Sequence, residues 1–439
     1  MQRQVRRGIL LQFLGLGIVA PFLVAQTRAD STAPLTLGEV FRTLETRSPR
    51  FEAARQMAYA AEARIKPAST LPDPEIQFGL MNRNFPGLGL QDPLGMNQVQ
   101  LMQMVPIAGQ LGLAGRAAQD QAGAASARAA EVGWELRARA AMVFYDLYQL
   151  DRTIEVGLAT QVLLRDIATT ARTMYSVGQG RQADVLRAQV EIDRMSEEVA
   201  RMRAMREAAA ARLNALLDRP SDTPVPTPTL PRFPDELAPA DSLERLALAG
   251  RPMLAAGQLE VSASLAGERR ARREIWPDLQ VGVQYGQRPM ATGTDRMVSL
   301  MLGFSVPIWA GRRQLQMRRE TQAMRASAEA ELRAMQAETR GRLGELIAQV
   351  RQSRSLRELY TTTILPQAEA TVSSALSAYQ AGEVDLPMLL DARMTVNRYR
   401  QQVFQLDADE GAALAELEML LGQALFDPEQ TQPPARETR

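Results

Sequence analysis

Among its 439 residues the chain has no cysteine and no histidine. Without thiols there is no disulfide, no thiolate nucleophile and no cysteine to carry a lipid anchor behind a leader. Without imidazole the familiar nitrogen-rich zinc and cobalt sites are excluded, and so is histidine general-base chemistry. A dominant sign of charge is also lacking. The 51 basic and 50 acidic residues leave a net charge of +1, which gives no footprint for nucleic acid. Neither a Walker nor a Rossmann glycine pattern occurs, and no nucleophile-base pair falls on convergent elements, so the expectation is no enzyme and no cofactor. Past one N-terminal apolar run, no segment reaches the roughly 18 consecutive apolar residues of a membrane-spanning helix.

That run follows Arg3, Arg6 and Arg7, extends from Ile9 to about Ala25, and ends in small residues at Ala25 and Ala29. The order predicts a secretory signal peptide over about 1–29, with a membrane anchor as the alternative reading.

What the chain does contain is a duplication. YSVGQGRQADVLRA begins at Tyr175 and YQAGEVDLPMLLDA at Tyr379, each between long stretches of helical composition. Ahead of these turns, LPDPEIQFGLMNR and VQLMQMVPIAGQ are echoed by IWPDLQVGVQYG and VSLMLGFSVPIWAGR. The predicted first repeat covers 30–218, with strands at about 74–82 and 97–105 and a turn at 175–183. The second covers 241–425, with strands at about 278–286 and 297–306 and a turn at 379–387. A proline-rich linker, 219–240, separates them, and 426–439 reads as a flexible tail.

Residues 113–172 and 313–365 are rich in Ala, Arg, Leu, Glu and Met and predict very long helices, with Pro366 leaving open whether the second continues straight. Partner helices over 183–217 and 386–422 return across the turns as hairpins. In the predicted strands apolar residues alternate with polar ones. Ile76, Phe78 and Leu80 oppose Glu75, Gln77 and Gly79; Leu279, Val281, Val283 and Tyr285 oppose Gln280, Gly282 and Gln284. Alternation of this kind suits a strand between lipid and a watery lumen, or a soluble sheet over a core. Strand count separates the two settings in lipid: four strands cannot close a membrane barrel, whose smallest form has about eight, so several chains would share one barrel. By the same alternation Met102, Met104 and Met301 take the inner face, where thioethers suit Cu(I) or Ag(I), although methionine also fills gaps.

The ordered motifs LTLGEVFRTLETRSPRFEAARQMAYAAEARI, QMVPIAGQ and FSVPIWAGRR, with both tyrosine-glycine turns, resemble the outer-membrane efflux proteins, the TolC-like channels. The strand-exit segments are most similar to the heavy-metal and cation branch. The resemblance implies a mainly α fold with a β part: a homotrimer whose twelve strands form an outer-membrane barrel, continued by a periplasmic coiled-coil tunnel. It also implies a passive exit channel working with a periplasmic adaptor protein and an inner-membrane pump; a type I protein-secretion duct, or a soluble coiled-coil adaptor, is the alternative. Tyr175, Gly178, Tyr379 and Gly382 would form the periplasmic tips. Asp184 and Asp391 match the family's entrance aspartates, and Met388 stands where a second acidic residue is common. Arg187, Gln189 and Arg393 would lie where the adaptor docks.

Overall fold

The computed structural model of the chain describes residues 34–82, 95–290 and 293–431. The expected leader lies outside the described residues.

The duplication is built in the fold. Its first half runs α1 (Leu37–Arg47), α2 (Pro49–Ala63), α3 (Ile65–Ser69), β1 (Glu75–Met81), β2 (Met96–Val105), α4 (Gln110–Ser176) and α5 (Gln182–Leu216). The second runs α6 (Ala240–Gly250), α7 (Pro252–Arg273), β3 (Leu279–Met290), β4 (Gly293–Phe304), α8 (Gln314–Leu359), a π-helical turn (Tyr360–Ile364), α9 (Leu365–Gln380) and α10 (Leu386–Leu421). Local signals set the starts: the Thr36 hydroxyl accepts the Glu39 N–H ahead of α1, and Ser48 accepts the Phe51 N–H ahead of α2, where Pro49 occupies the first turn.

Helix α4 has 67 residues, about 100 Å at 1.5 Å per residue. Small residues let its neighbours approach closely; Ala124, Ala138, Ala140, Ala141 and Ala171 are all buried. The counterpart rod is not uniform. Pro366 has no N–H for the preceding turn and its ring crowds that turn, so the chain widens into the π-helical turn and then resumes as α9.

The four strands form one antiparallel sheet in the order β1-β2-β3-β4, and the β2–β3 pairing joins the two repeats. The second hairpin extends further than the expected 278–286 and 297–306 at its turn, because pairing continues from Leu279↔Phe304 to Met290↔Gly293. Cross-strand register places Phe78 beside Val99, Val99 beside Tyr285 and Tyr285 beside Val298. Ile76, Leu101, Val283 and Leu300 form a parallel row on the same face, and all eight side chains are exposed.

A large core gathers around the middle of α4. Phe41, Leu44, Phe144, Tyr145, Leu213, Leu243, Leu346 and Leu414 meet there. The linker after α5 belongs to this core rather than merely spanning the repeats: Leu230 and Phe233 are buried in it, and Arg354 donates to the carbonyls of Pro234 (2.6 Å) and Asp235 (2.8 Å) while holding Glu410 at 2.7 Å. The first residues of the expected flexible tail are packed against the linker and α1. Phe426 packs edge-on against Phe233, the Arg232 N–H donates to the Gln430 carbonyl at 2.7 Å, and the Gly38 N–H donates to the Pro428 carbonyl at 3.2 Å. Residues 432–439 lie outside the described residues.

A second, smaller core lies at the far end of the rods, where Leu164, Ile167, Ala188, Ile192, Tyr379, Leu386 and Leu389 pack together. Leu186 and Val190, which composition suggests as packing residues of α5, are instead 60% and 55% exposed. They lie off the face that α5 turns to α4, as Ala188, Ile192 and Met195 occupy that face.

Candidate functional site

Two surfaces carry what this chain can do: the hairpin ends and the sheet. Each helical reversal turns on a glycine in left-handed conformation, Gly178 at φ 79° and Gly382 at φ 75°, where a Cβ would be strained. The Gly180 N–H and Gln179 N–H both donate to the Met174 carbonyl, and the Glu383 N–H donates to the Ala378 carbonyl, closing the two helix ends.

The two turns differ in their surroundings. Tyr175 is 47% exposed, whereas Tyr379 is 4% exposed and packs inside the smaller core. Burial pushes the Tyr379 hydroxyl above its ordinary pKa of 10.0, and the nearby Asp184 carboxylate adds to the rise. Asp184 thus belongs with Tyr379, in the first turn of α5. Asp391 stands apart from it, exposed on α10 and one turn beyond the exposed Met388; these two line one groove with Gln367 and Thr371 of α9. On its other side Asp391 borders a groove shared with Arg187, Glu191 and Arg194 of α5.

The structure therefore brings Arg187 and Asp391 to one groove, while Gln189 is exposed and donates to Asp193 at 3.3 Å. Arg393 is only half-exposed. Burial and the neighbouring Arg400 draw its pKa down, opposed by Glu369, which Arg400 also holds at 2.6 Å. Sequence reasoning missed Arg181 and Asp385, which link the two turns, Nη1 to Oδ1 at 3.7 Å. Each stands three residues after its turn glycine, at the N-cap of the returning helix, and that shared position is the signal that could have found them.

In the sheet, alternation separates two chemistries. One face carries Ile76, Phe78, Leu101, Val283, Leu300, Leu302 and Phe304, all exposed. The other carries Gln77, Gln100, Gln284 and Ser299 as one continuous cross-strand row. Just below the apolar face, where strands meet helices, Ile107, Trp276, Ile308 and Trp309 are exposed, an arrangement suited to a membrane-water interface. Among the described residues strands β1 and β4 have no further strand partner. Among the described residues no helix is long and apolar enough to cross a membrane, and no cluster of three or more acidic ligands is placed to hold a metal ion.

Residues 243–423, from α6 to the end of α10, match the profile of the family described as Outer membrane efflux protein. Solved structures extend the likeness over nearly all of the chain. CusC superposes with a TM-score of 0.76 at 13% identity, over 89% of this chain and 93% of that one. The chain has the outer-membrane efflux channel fold. VceC of Vibrio cholerae agrees at TM-score 0.75, 14% identity and coverage of 88% and 96%. The open-state MtrE channel of Neisseria gonorrhoeae agrees at 0.73, 15% identity and 91% of each chain. No curated protein sequence matches the chain.

Proposed function

We propose that the protein is an outer-membrane exit channel of a tripartite efflux assembly, conducting cargo passively from a pump and adaptor to the exterior. The observation that carries this reading is the sheet: four strands with two open edges and one continuous exposed apolar face. Open edges are not tolerated in hydrocarbon, so β1 of one copy must pair with β4 of another; three copies make a twelve-stranded barrel. The apolar face then meets lipid, and the glutamine row lines the lumen. The rods continue the barrel as a tunnel in the periplasm, with the two glycine turns at its far end.

Within this reading Asp184, Asp391 and Met388 line the periplasmic entrance. Arg187, Gln189 and Arg393 belong to the surface that meets an adaptor, with Arg187 and Gln189 the more accessible. Around a threefold axis Asp391 contributes three carboxylates, which favour cations at the entrance. The finer placement in the heavy-metal and cation branch is supported by the strand-exit segments QMVPIAGQ and FSVPIWAGRR. Purified mature protein in detergent is expected to be a trimer by light scattering and to produce discrete conductance steps in planar bilayers. A monomer that stays soluble without detergent and produces no conductance contradicts the reading and favours a periplasmic scaffold.

A further inference from the structure

The sheet sorts its apolar side chains by chemistry as well as by face. Val, Leu, Ile and Phe of the four strands lie on the lipid-facing side, whereas every methionine of those strands lies on the opposite side, among glutamines, serine, glycines and the charged Glu75, Arg288 and Asp295, with Glu75 directly opposite Met102. Hydrophobicity alone does not produce that division, because leucine would fill the same space on the lumen face.

The methionines are also paired. Met102 on β2 and Met301 on β4 both stand opposite Gly282 on the intervening strand. A Cβ at Gly282 would lie 3.2 Å from Met102 Cγ and 3.5 Å from Met301 Cε, so the two side chains lean over the glycine from either side. Four residues along β3 a second pair of methionines flanks a glycine in a shifted register, since Gln98 is the β2 residue opposite Gly286 and Met96 reaches over from two residues further along β2. Met297 stands opposite Gly286, and Met96 Sδ lies 2.8 Å from where a Gly286 Cβ would be. Glycine inside a strand weakens it and is retained where close approach is needed. Here each glycine opens a hollow between flanking strands about 10 Å apart, which a flexible thioether side chain can enter from each side.

Uncharged sulfur donors in pairs bind soft monovalent cations and discriminate against hard divalent ones. We propose that the pore wall carries a two-rung thioether site for Ag(I) or Cu(I), formed by Met102 with Met301 and by Met96 with Met297. The row Gln77, Gln100, Gln284 and Ser299 lies between the rungs. The site rests on the reading of this face as the lumen of a channel, and it makes soft metal ions a cargo that the wall holds in passing.

The test uses the detergent-solubilised full chain, titrated with silver nitrate in chloride-free buffer by calorimetry, with the metal's ligands identified by X-ray absorption. The variants are M102L/M301L and M96L/M297L, in which leucine retains most of the volume. Sulfur coordination in the parent, lost at one rung in each variant at silver concentrations that saturate the parent, is the expected result. Equal silver binding in parent and variants overturns the site. So does an equal loss on M57L/M205L, because Met57 of α2 and Met205 of α5 are exposed helix residues outside the sheet. Bilayer conductance of the same samples separates this proposal from the one beneath it: conductance without sulfur-bound silver retains the channel and removes the site, whereas silver binding without conductance removes the lumen reading on which the cargo role depends.

Discussion

Arg181 and Asp385 face one another across the two hairpin turns at 3.7 Å, each the N-cap residue immediately before the returning helix. Both side chains are largely exposed, so the pair adds little to stability. Its consequence is positional, since it ties the end of one hairpin to the end of the other. Arg181→Gln should leave thermal stability and oligomeric state unchanged while increasing conductance in planar bilayers. Unchanged conductance would assign the pair to ordinary surface charge.

Asp391 and Arg187 share a groove, yet the proposed roles differ, entrance for one and adaptor contact for the other. Asp391→Asn should reduce cation selectivity and weaken block by divalent cations applied from the periplasmic side. Arg187→Ala should leave both unchanged and reduce cross-linking to the adaptor. If the effects are exchanged, the groove faces the lumen and the adaptor docks elsewhere.

Most of the architecture was legible because the chain writes it twice. Alternation over Ile76–Leu80 and Leu279–Tyr285, the long proline-free stretches and the two turn glycines specify strands, rods and reversals by local chemistry. The differences lie where a residue's partner is distant in sequence. Tyr175 and Tyr379 are equivalent in the repeat, but only Tyr379 is covered, inside the smaller core to which Leu164 of α4 and Ala188 of α5 also belong. Phe426 and Gln430 read as tail, since nothing nearby reveals that Phe233 and Arg232 receive them. Leu186 and Val190 resemble core residues by composition, yet their surface is left open within one chain.

The ring of the fully buried Tyr145 lies against Gly411, where an added Cβ would be 2.5 Å from Cζ. The ring is hemmed in by Phe144 and Phe233 and cannot shift freely. Gly411→Ala should destabilise the chain by about 1–3 kcal/mol, measured as loss of stability in denaturant, with partial recovery when combined with Tyr145→Leu. No loss in the single variant would show that the ring has room to move.

Burial pushes the Glu418 carboxyl above its ordinary pKa of 4.5, against the pull of the Leu425 N–H and Arg137. Burial likewise raises Asp407, opposed by Arg357. A raised acid keeps its proton longer in the folded state, so its contribution is fullest below the unfolded value and is lost as pH rises from about 4.5 through the raised pKa. Burial raises Glu268 too, but hydrogen bonds from Arg325, Arg272 and Gln322 outweigh it, so this residue acts in the opposite sense. The readout is therefore a difference. Glu418→Gln retains an acceptor for the Leu425 N–H, 2.7 Å from Oε1 in the parent, and should flatten the fall of melting temperature between mildly acidic and neutral pH. Parallel melting curves for parent and variant across that range would contradict the assignment.

Closure of one barrel by several copies is the central claim, and the absence of cysteine makes it directly measurable. Gln77→Cys on β1 can be combined in turn with Ser299→Cys, Met301→Cys or Gly303→Cys on β4. Within one chain β2 and β3 separate these strands by three spacings, about 14 Å, beyond the roughly 7 Å between Cα atoms that a disulfide tolerates. Oxidation of membranes containing these variants should give disulfide-linked dimers and trimers on non-reducing gels for at least one pairing, and none for either single substitution. Monomer at every pairing, with the protein confirmed in the outer membrane, would contradict a barrel shared between chains.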